Sequence, residues 1–361
     1  MTRFHATRLL AAGSSRARVL SALRSWFGPF VGLFVVVLIF EAYHHFQQPD
    51  RDFLNTLRMA AIAKQTAIVG VGALGMTVII ISGGIDLSVG SMLALTSVVL
   101  ALFLRDRPPD WMAEYLPGLA AGWDPTSVLV ALLLVMLAGL AAGAFNGVLI
   151  TRLGLVPFIV TLGTMMVYRG MAEWLADQKK VVVDHDTVPN WLASLLDPPG
   201  ADSWLPLVCP AVWIVLALAT ALAFVLRFTV FGRYVFAIGS NEEAARLCGI
   251  PVSRMKIAFY ALGGFFMAVA GVFGFSEQYA QGDPSSGVAK ELDIIAAVVI
   301  GGGSLSGGRG SVLGSLLGAL TMTTLQSGCD YAGISVSMQK IVIGAIIVAA
   351  VAVDGWLHPR K

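Results

Sequence analysis

Asp86 is an acid set in a polar, glycine-rich stretch, Gly83-Gly84-Ile85-Asp86-Leu87-Ser88-Val89-Gly90-Ser91, with a long apolar run on either side. Left unpaired in hydrocarbon, a carboxylate costs several kcal/mol, so Asp86 must sit at a helix end, face protein or water, or have a partner. Followed by Leu87, Ser88 and an apolar run, it reads as a helix start, where a carboxylate accepts from free backbone N–H groups and complements the positive end of the helix. A direct part in gating or substrate contact is compatible with that role. The stretch is echoed by Gly302-Gly303-Ser304-Leu305-Ser306-Gly307, which also lies between paired apolar runs. Glycine is common in membrane helices, yet glycine-broken spans recurring in two halves of a chain point to a transport path. Gly83, Gly84, Asp86, Ser88, Gly302, Gly303 and Ser304 are therefore candidate gate or path residues. Asn146, Thr161 and Thr164, polar groups inside apolar spans, join them, with an interhelical hydrogen bond as the default role for each.

Other chemistry is sparse. No Gly-x-x-x-x-Gly-Lys-Ser/Thr phosphate loop occurs, so nothing in the chain can hydrolyse ATP. Cys209, Cys248 and Cys329 form neither a disulfide framework nor a metal site by spacing. No metal-ligand cluster and no nucleophile–base pair falls in the spans, which argues against a membrane-embedded enzyme. The formal charge of +2, from 24 Lys and Arg against 22 Asp and Glu, implies no nucleic-acid partner.

The elements that must position these residues follow from composition. With 57% hydrophobic and 13% charged residues and a mean hydropathy of +0.79, the chain is an all-α polytopic membrane protein. Apolar windows near 26–42, 59–82, 87–104, 126–150, 155–176, 206–226, 257–276, 290–303, 306–326 and 336–353 predict about ten transmembrane helices, two pairs of them glycine-broken. The basic segment 1–25, with no acid, precedes an uncleaved first span, a single transmembrane domain covers 26–356, and 357–361 is a basic tail. Both termini are then cytoplasmic, as is the segment 227–256 with Arg227, Arg233, Arg246, Arg254 and Lys256, while the acidic segments 105–125 and 177–205 lie outside. By this count both glycine breaks fall at the cytoplasmic end. Trp111, Trp123, Trp174, Trp191 and Trp204 fall at outer span ends or external loops and read as interface anchors. Lys64 snorkels at the outer end of its span, and Arg169 is spaced to pair with Glu173.

Within the cytoplasmic segment, Asn241 suits an N-cap, Glu242 and Glu243 a first helical turn, and Gly249 a stop before Pro251. The bland reading is an amphipathic surface loop. Against it stands a pattern: Glu243-Ala244-Ala245, three residues, then Gly249 is similar to the docking motif of ABC importer membrane subunits. The resemblance extends to Gly83 to Ser91, to Asn146-Gly147-Val148-Leu149-Ile150 with Pro157 to Thr164 and Arg169-Gly170, to Phe231 through Pro251, and to Glu291 through Gly302 with Gly307 to Ser311. The chain from about residue 55 onward thus resembles permease subunits of bacterial ABC importers of the ribose/xylose/arabinose/galactoside type.

That resemblance implies a homodimeric inner-membrane permease between a periplasmic sugar-binding protein and a cytoplasmic ABC ATPase subunit. ATP and magnesium are used by the partner, and this chain needs no cofactor. Asn241, Glu242, Glu243, Ala244, Ala245, Gly249 and Pro251 would couple to the ATPase. Glu291 and Asp293, opening the eighth span at the outer mouth, would face the binding protein. Ser304 through Arg309 also looks like the Leu-Ser-Gly-Gly-Gln signature of ABC ATPases, a coincidence in a chain without a phosphate loop. Two rival readings remain: a related permease carrying branched-chain amino acids or a nucleoside, and a stand-alone ion-coupled secondary transporter, for which Asp86 would be the acid to watch.

Overall fold

A backbone that crosses hydrocarbon must satisfy its own N–H and C=O groups, and this chain does so as helices. The computed structural model describes residues 30–43, 45–46, 53–105, 125–184, 188–197 and 208–357. The basic segment 1–25, residues 106–124 with Trp111 and Trp123, Trp204 and the tail 358–361 lie outside the described residues. The helices are α1 (Phe30–Tyr43), α2 (Thr56–Ile81), α3 (Val89–Arg105), α4 (Pro125–Leu153), α5 (Pro157–Leu175), α6 (Asn190–Ala193), α7 (Pro210–Phe228), α8 (Val230–Ser240), α9 (Glu242–Leu247), α10 (Val252–Glu277), α11 (Lys290–Ile300), α12 (Val312–Tyr331) and α13 (Val336–Leu357).

Each of the ten apolar windows overlaps one of these helices. α2, α4, α7 and α10 are each long and apolar enough to cross a membrane, and α1, α3 and Val336–Ile346 of α13 are shorter apolar helices. The expected spans 290–303 and 306–326 differ most. α11 has 11 residues, about 16 Å at 1.5 Å per residue and so roughly half of a hydrocarbon core. α12 starts only at Val312, because Gly302, Gly307, Gly308 and Gly310 all take positive φ and keep the intervening chain out of helix.

α2 and α10 form the centre, with 83% and 72% of their most apolar stretches buried against 28% in α4 and in α7. The outward faces of the latter two carry Leu129, Leu133, Leu137, Trp213, Leu216 and Phe224, the apolar surface that lipid accepts. α4 packs on α10 along Gly139, Gly143 and Gly147, spaced four apart, and a β-carbon on any of them would run into Gly264, Tyr260 or Ile257 backbone of α10. Small residues at this spacing let helix backbones approach closely, the usual seam between membrane helices. α2 and α12 run antiparallel and share hydroxyl bonds, Thr66 with Thr323 at 2.6 Å and Thr77 with Ser315 at 2.7 Å.

At the end of the bundle where α2 begins, Asn55 caps the helix by accepting from the Arg58 N–H at 2.9 Å. The Arg58 guanidinium lies 3.5 Å from the centre of the Tyr331 ring, tying α2 to the end of α12. At this same end two short strands, β1 (Val181–Val182) and β2 (Gln281–Gly282), pair antiparallel and bind the segment after α5 to the one after α10. Lys180 reinforces the pairing through Asp283 at 3.0 Å.

Candidate functional site

The first glycine break begins where α2 stops. Gly83 at φ +82° turns the chain, with its N–H donating to Ile80 O at 3.0 Å and the Gly84 N–H to Ile79 O at 2.9 Å. Such a left-handed glycine closes the last helical turn and consumes carbonyls that hydrocarbon would otherwise leave unpaired. Asp86 lies three residues on and is buried. Its Oδ1 accepts from the Ser88 N–H at 2.8 Å and the Ser88 hydroxyl at 2.6 Å. The acid thus braces the turn just ahead of α3 through the residue before the helix, and Ser88 O accepts the helix's entering Met92 N–H at 2.8 Å.

From this turn a buried polar network spreads into two helices. The Asn146 amide of α4 donates to Ser88 Oγ at 2.8 Å and Asp86 Oδ2 at 3.3 Å, and its carbonyl accepts from the Tyr168 hydroxyl of α5 at 3.1 Å. Tyr260 of α10 donates to Ile85 O at 3.3 Å. Thr161 donates to Pro157 O at 3.0 Å in its own helix and reaches Ile85 O at 3.4 Å. Thr164 donates back to Thr161 O at 3.3 Å, so of the two threonines Thr161 is the one that touches the break.

The second break repeats the backbone of the first. After α11 the Gly302 N–H donates to Val299 O at 2.9 Å and the Gly303 N–H to Val298 O at 2.8 Å, with Gly302 at φ +88°. Gly302 and Gly303 therefore match Gly83 and Gly84 bond for bond, as their sequence echo suggests. The chain then folds on itself, Ser304 N–H to Arg309 O at 3.2 Å and Gly307 N–H to Ser304 O at 2.9 Å. One bond crosses between the breaks: the Gly308 N–H donates to Ile81 O at 2.7 Å.

At this same end lies α9, built as its residues predict. Asn241 accepts from the Ala244 N–H at 2.9 Å, Glu242 and Glu243 occupy the first turn, and Gly249 at φ +80° ends the helix. Ala245 alone among Glu242 to Leu247 is buried, while Leu247 is 90% exposed, an apolar side chain with nothing over it. Glu242 holds Arg246 within α9 at 3.1 Å and Lys256 at 2.6 Å, and the latter contact pins α9 to the beginning of α10. Partial burial pushes the Glu242 carboxyl up, but the Lys256 and Arg246 partners outweigh it and hold the group below the ordinary glutamate value.

At the opposite side of the breaks, Glu291 and Asp293 fall in the first turn of α11 without capping it, since Ala289 precedes the helix and makes no side-chain cap bond. They favour that helix end by charge, and Lys290 sits 4.0 Å from Asp293. The expected Arg169–Glu173 pair is replaced by a backbone clamp. Arg169 donates to Pro284 O at 2.5 Å and Ser286 O at 2.7 Å, because the segment before α11 turns back between α3 and α5 and presents those carbonyls. Gly287 of this segment abuts Gly90 near the start of α3, with no room for a β-carbon on either. Lys64 reaches the Tyr279 ring at 5.9 Å.

Sequence reasoning missed Tyr168, Tyr260 and the Gly139-Gly143-Gly147 ridge. The ridge carried a readable signal in its spacing of four. The two tyrosines carried none, since one aromatic among many in apolar runs does not announce which carbonyl it will meet. Among the described residues no group of three or more His, Cys, Asp or Glu is placed to hold a metal.

Residues 58–351 match the family described as branched-chain amino acid transport system / permease component. A ribose import permease protein of Bacillus subtilis is 38% identical over 327 residues, 91% of this chain and 92% of the relative. A fructose import permease protein of Rhizobium meliloti is 34% identical over 312 residues, 85% and 80% of the two chains. A galactose/methyl galactoside import permease protein of Escherichia coli is 33% identical over 333 residues, 91% and 95% of the two. No solved structure matches the chain. With apolar membrane-length helices, paired glycine breaks and a family match spanning nearly the whole described chain, this protein belongs to that family of transport-system permeases.

Proposed function

We propose that this chain is the membrane-spanning subunit of an ATP-driven importer for a monosaccharide, crossing the inner membrane about ten times with both termini in the cytoplasm and working as a homodimer. An ATPase subunit, which holds the ATP and magnesium, seats on α9, and a periplasmic binding protein delivers sugar at the face near Glu291 and Asp293. Nucleotide binding moves α9, and the helices flanking the two glycine breaks re-pack so that the path opens to alternate sides. The observation that carries this reading is α9 itself: a capped, braced helix with Leu247 exposed, at the end of the bundle where both breaks lie. A rigid, charged-and-apolar knob suits seating in a groove of a soluble partner. The names of the relatives, which import ribose, fructose and galactose, favour a monosaccharide over the branched-chain amino acids of the family description.

The test is uptake by proteoliposomes holding this chain with an ABC ATPase subunit and a periplasmic sugar-binding protein from its own source. ATP-dependent uptake of ribose, fructose or galactose, and none of leucine, is expected. Uptake without the ATPase subunit, or uptake abolished by an uncoupler while ATP is maintained, would instead mark an ion-coupled transporter.

A further inference from the structure

The two glycine breaks and the helix leading to α9 meet at one point. α8 ends in Gly239 and Ser240, and a single residue, Asn241, is both the end of α8 and the cap of α9. A displacement of α9 therefore acts on the last turn of α8 without a flexible linker to absorb it. At that turn the chain touches both breaks by backbone. A β-carbon on Gly239 would overlap the Ile81 carbonyl, at the close of α2, and lie 2.7 Å from the Gly308 nitrogen. One on Gly307 would lie 2.5 Å from the Gly239 oxygen and 3.1 Å from the Gly83 Cα, and one on Gly308 would lie 2.7 Å from Ser240 Oγ. The hydrogen bond from Gly308 N–H to Ile81 O closes the triangle. Three segments distant in sequence are thus in main-chain contact, with no intervening side chain that could change rotamer and lose the motion.

We infer that Gly239 is the positioning residue through which the α9 helix moves both glycine breaks together. The inference rests on the proposed seating of an ATPase on α9, and it adds where the motion goes next. Packed contacts transmit displacement when they lack slack, and interiors respond to bulk by shifting segments apart. Adding one methyl group at Gly239 must separate α8 from Ile81 and Gly308, because the obstructing atoms are backbone and cannot rotate away.

The experiment compares Gly239→Ala with the native importer in proteoliposomes, reading both ATP hydrolysis and uptake of labelled ribose. Hydrolysis is expected to stay within about twofold, while ribose moved per ATP falls roughly tenfold or more, the scale of an overpacking strain. Gly344→Ala on α13, where a β-carbon meets open space, controls for the change of residue type and should leave that ratio unaltered. If Gly239→Ala does not yield folded protein, Ser240→Val decides: that position is exposed, and its extra bulk presses on Gly308 from outside. Native ribose-to-ATP ratios in a folded Gly239→Ala, or in Ser240→Val where that stands in, overturn the inference. Glu243→Ala separates this outcome from failure of the seating reading, since unimpaired ATPase assembly in that variant would refute the seating and leave the three-way contact to be explained otherwise.

Discussion

The two glycine breaks share a backbone and differ in what holds them. Both end a helix with a left-handed glycine and the same pair of N–H to carbonyl bonds. Three residues after that glycine the first has Asp86 and the second has Leu305. Asp86 ties its break to α4 and, through Asn146, to α5. The second break closes on itself through Ser304, Gly307 and Arg309, and Leu305 packs as a partly buried apolar group. One glycine turn is thus tied to the surrounding helices by side chains, and the other meets α2 through the Gly308 N–H to Ile81 O bond. Two copies of one local device are in this way anchored differently, the first by side-chain hydrogen bonds and the second by main chain.

The largest test of that difference is to exchange the distinguishing residue. Asp86→Leu strands the Ser88 hydroxyl and N–H and one Asn146 donor, and should lower stability by about 3 kcal/mol, whereas Leu305→Ala should cost about 1 kcal/mol. Thermal unfolding of the detergent-solubilised protein measures both, and equal losses would erase the distinction. The milder Asp86→Asn keeps an acceptor for Ser88, and should alter stability or ATP coupling while leaving the preference among sugars as it was; a changed preference alone would move Asp86 to the sugar's path.

Next in size is what the breaks share. Gly83→Ala and Gly302→Ala each force a side chain into a left-handed residue and should cost about 1 kcal/mol apiece. Losses that differ by more than twofold would show that the common bond pattern does not carry common energetics. Smaller again is Tyr168→Phe, which removes the hydroxyl bound to Asn146 and Ala142 and should cost about 0.6 kcal/mol, the usual scale of an interhelical hydrogen bond in a membrane.

The smallest effect lies outside the breaks, at α9. The Glu242 carboxyl is held below its ordinary value of 4.5, so its contribution is present above that pH and is lost as acid protonates it through its lowered folded value. Exchange protection in α9, measured relative to the intrinsic amide rate at each pH, should therefore be unchanged between pH 7 and 5 and fall only under stronger acid. Glu242→Gln should remove that acid dependence, at a stability cost of a few tenths of a kcal/mol, as for other partly exposed ion pairs.

How much of this was legible beforehand depended on whether the signal was local. The α9 cap, its acidic first turn and its glycine stop are consecutive residues obeying short-range rules, and the structure places them as the sequence predicts. The glycine echo was legible for the same reason. Arg169 was read wrongly because Glu173 is near in sequence, while the carbonyls it holds are more than a hundred residues away and belong to a segment whose turning-back leaves no local mark. The expected span 290–303 overruns α11 because its window takes in Gly301 to Gly303, whereas the helix ends at Ile300 and Gly302 at positive φ turns the chain.

The glycine seam between α4 and α10 bears on how the molecule responds to heat and to changing lipid. Along it, main chain lies against main chain at Gly139, Gly143 and Gly147. A joint made of rotatable side chains gains alternative packings as temperature rises, and its spacing drifts. Glycines have no side-chain torsions to free. The distance between these two helices should therefore stay nearly constant across a growth range, a fixed gauge against which the rest of the bundle can move.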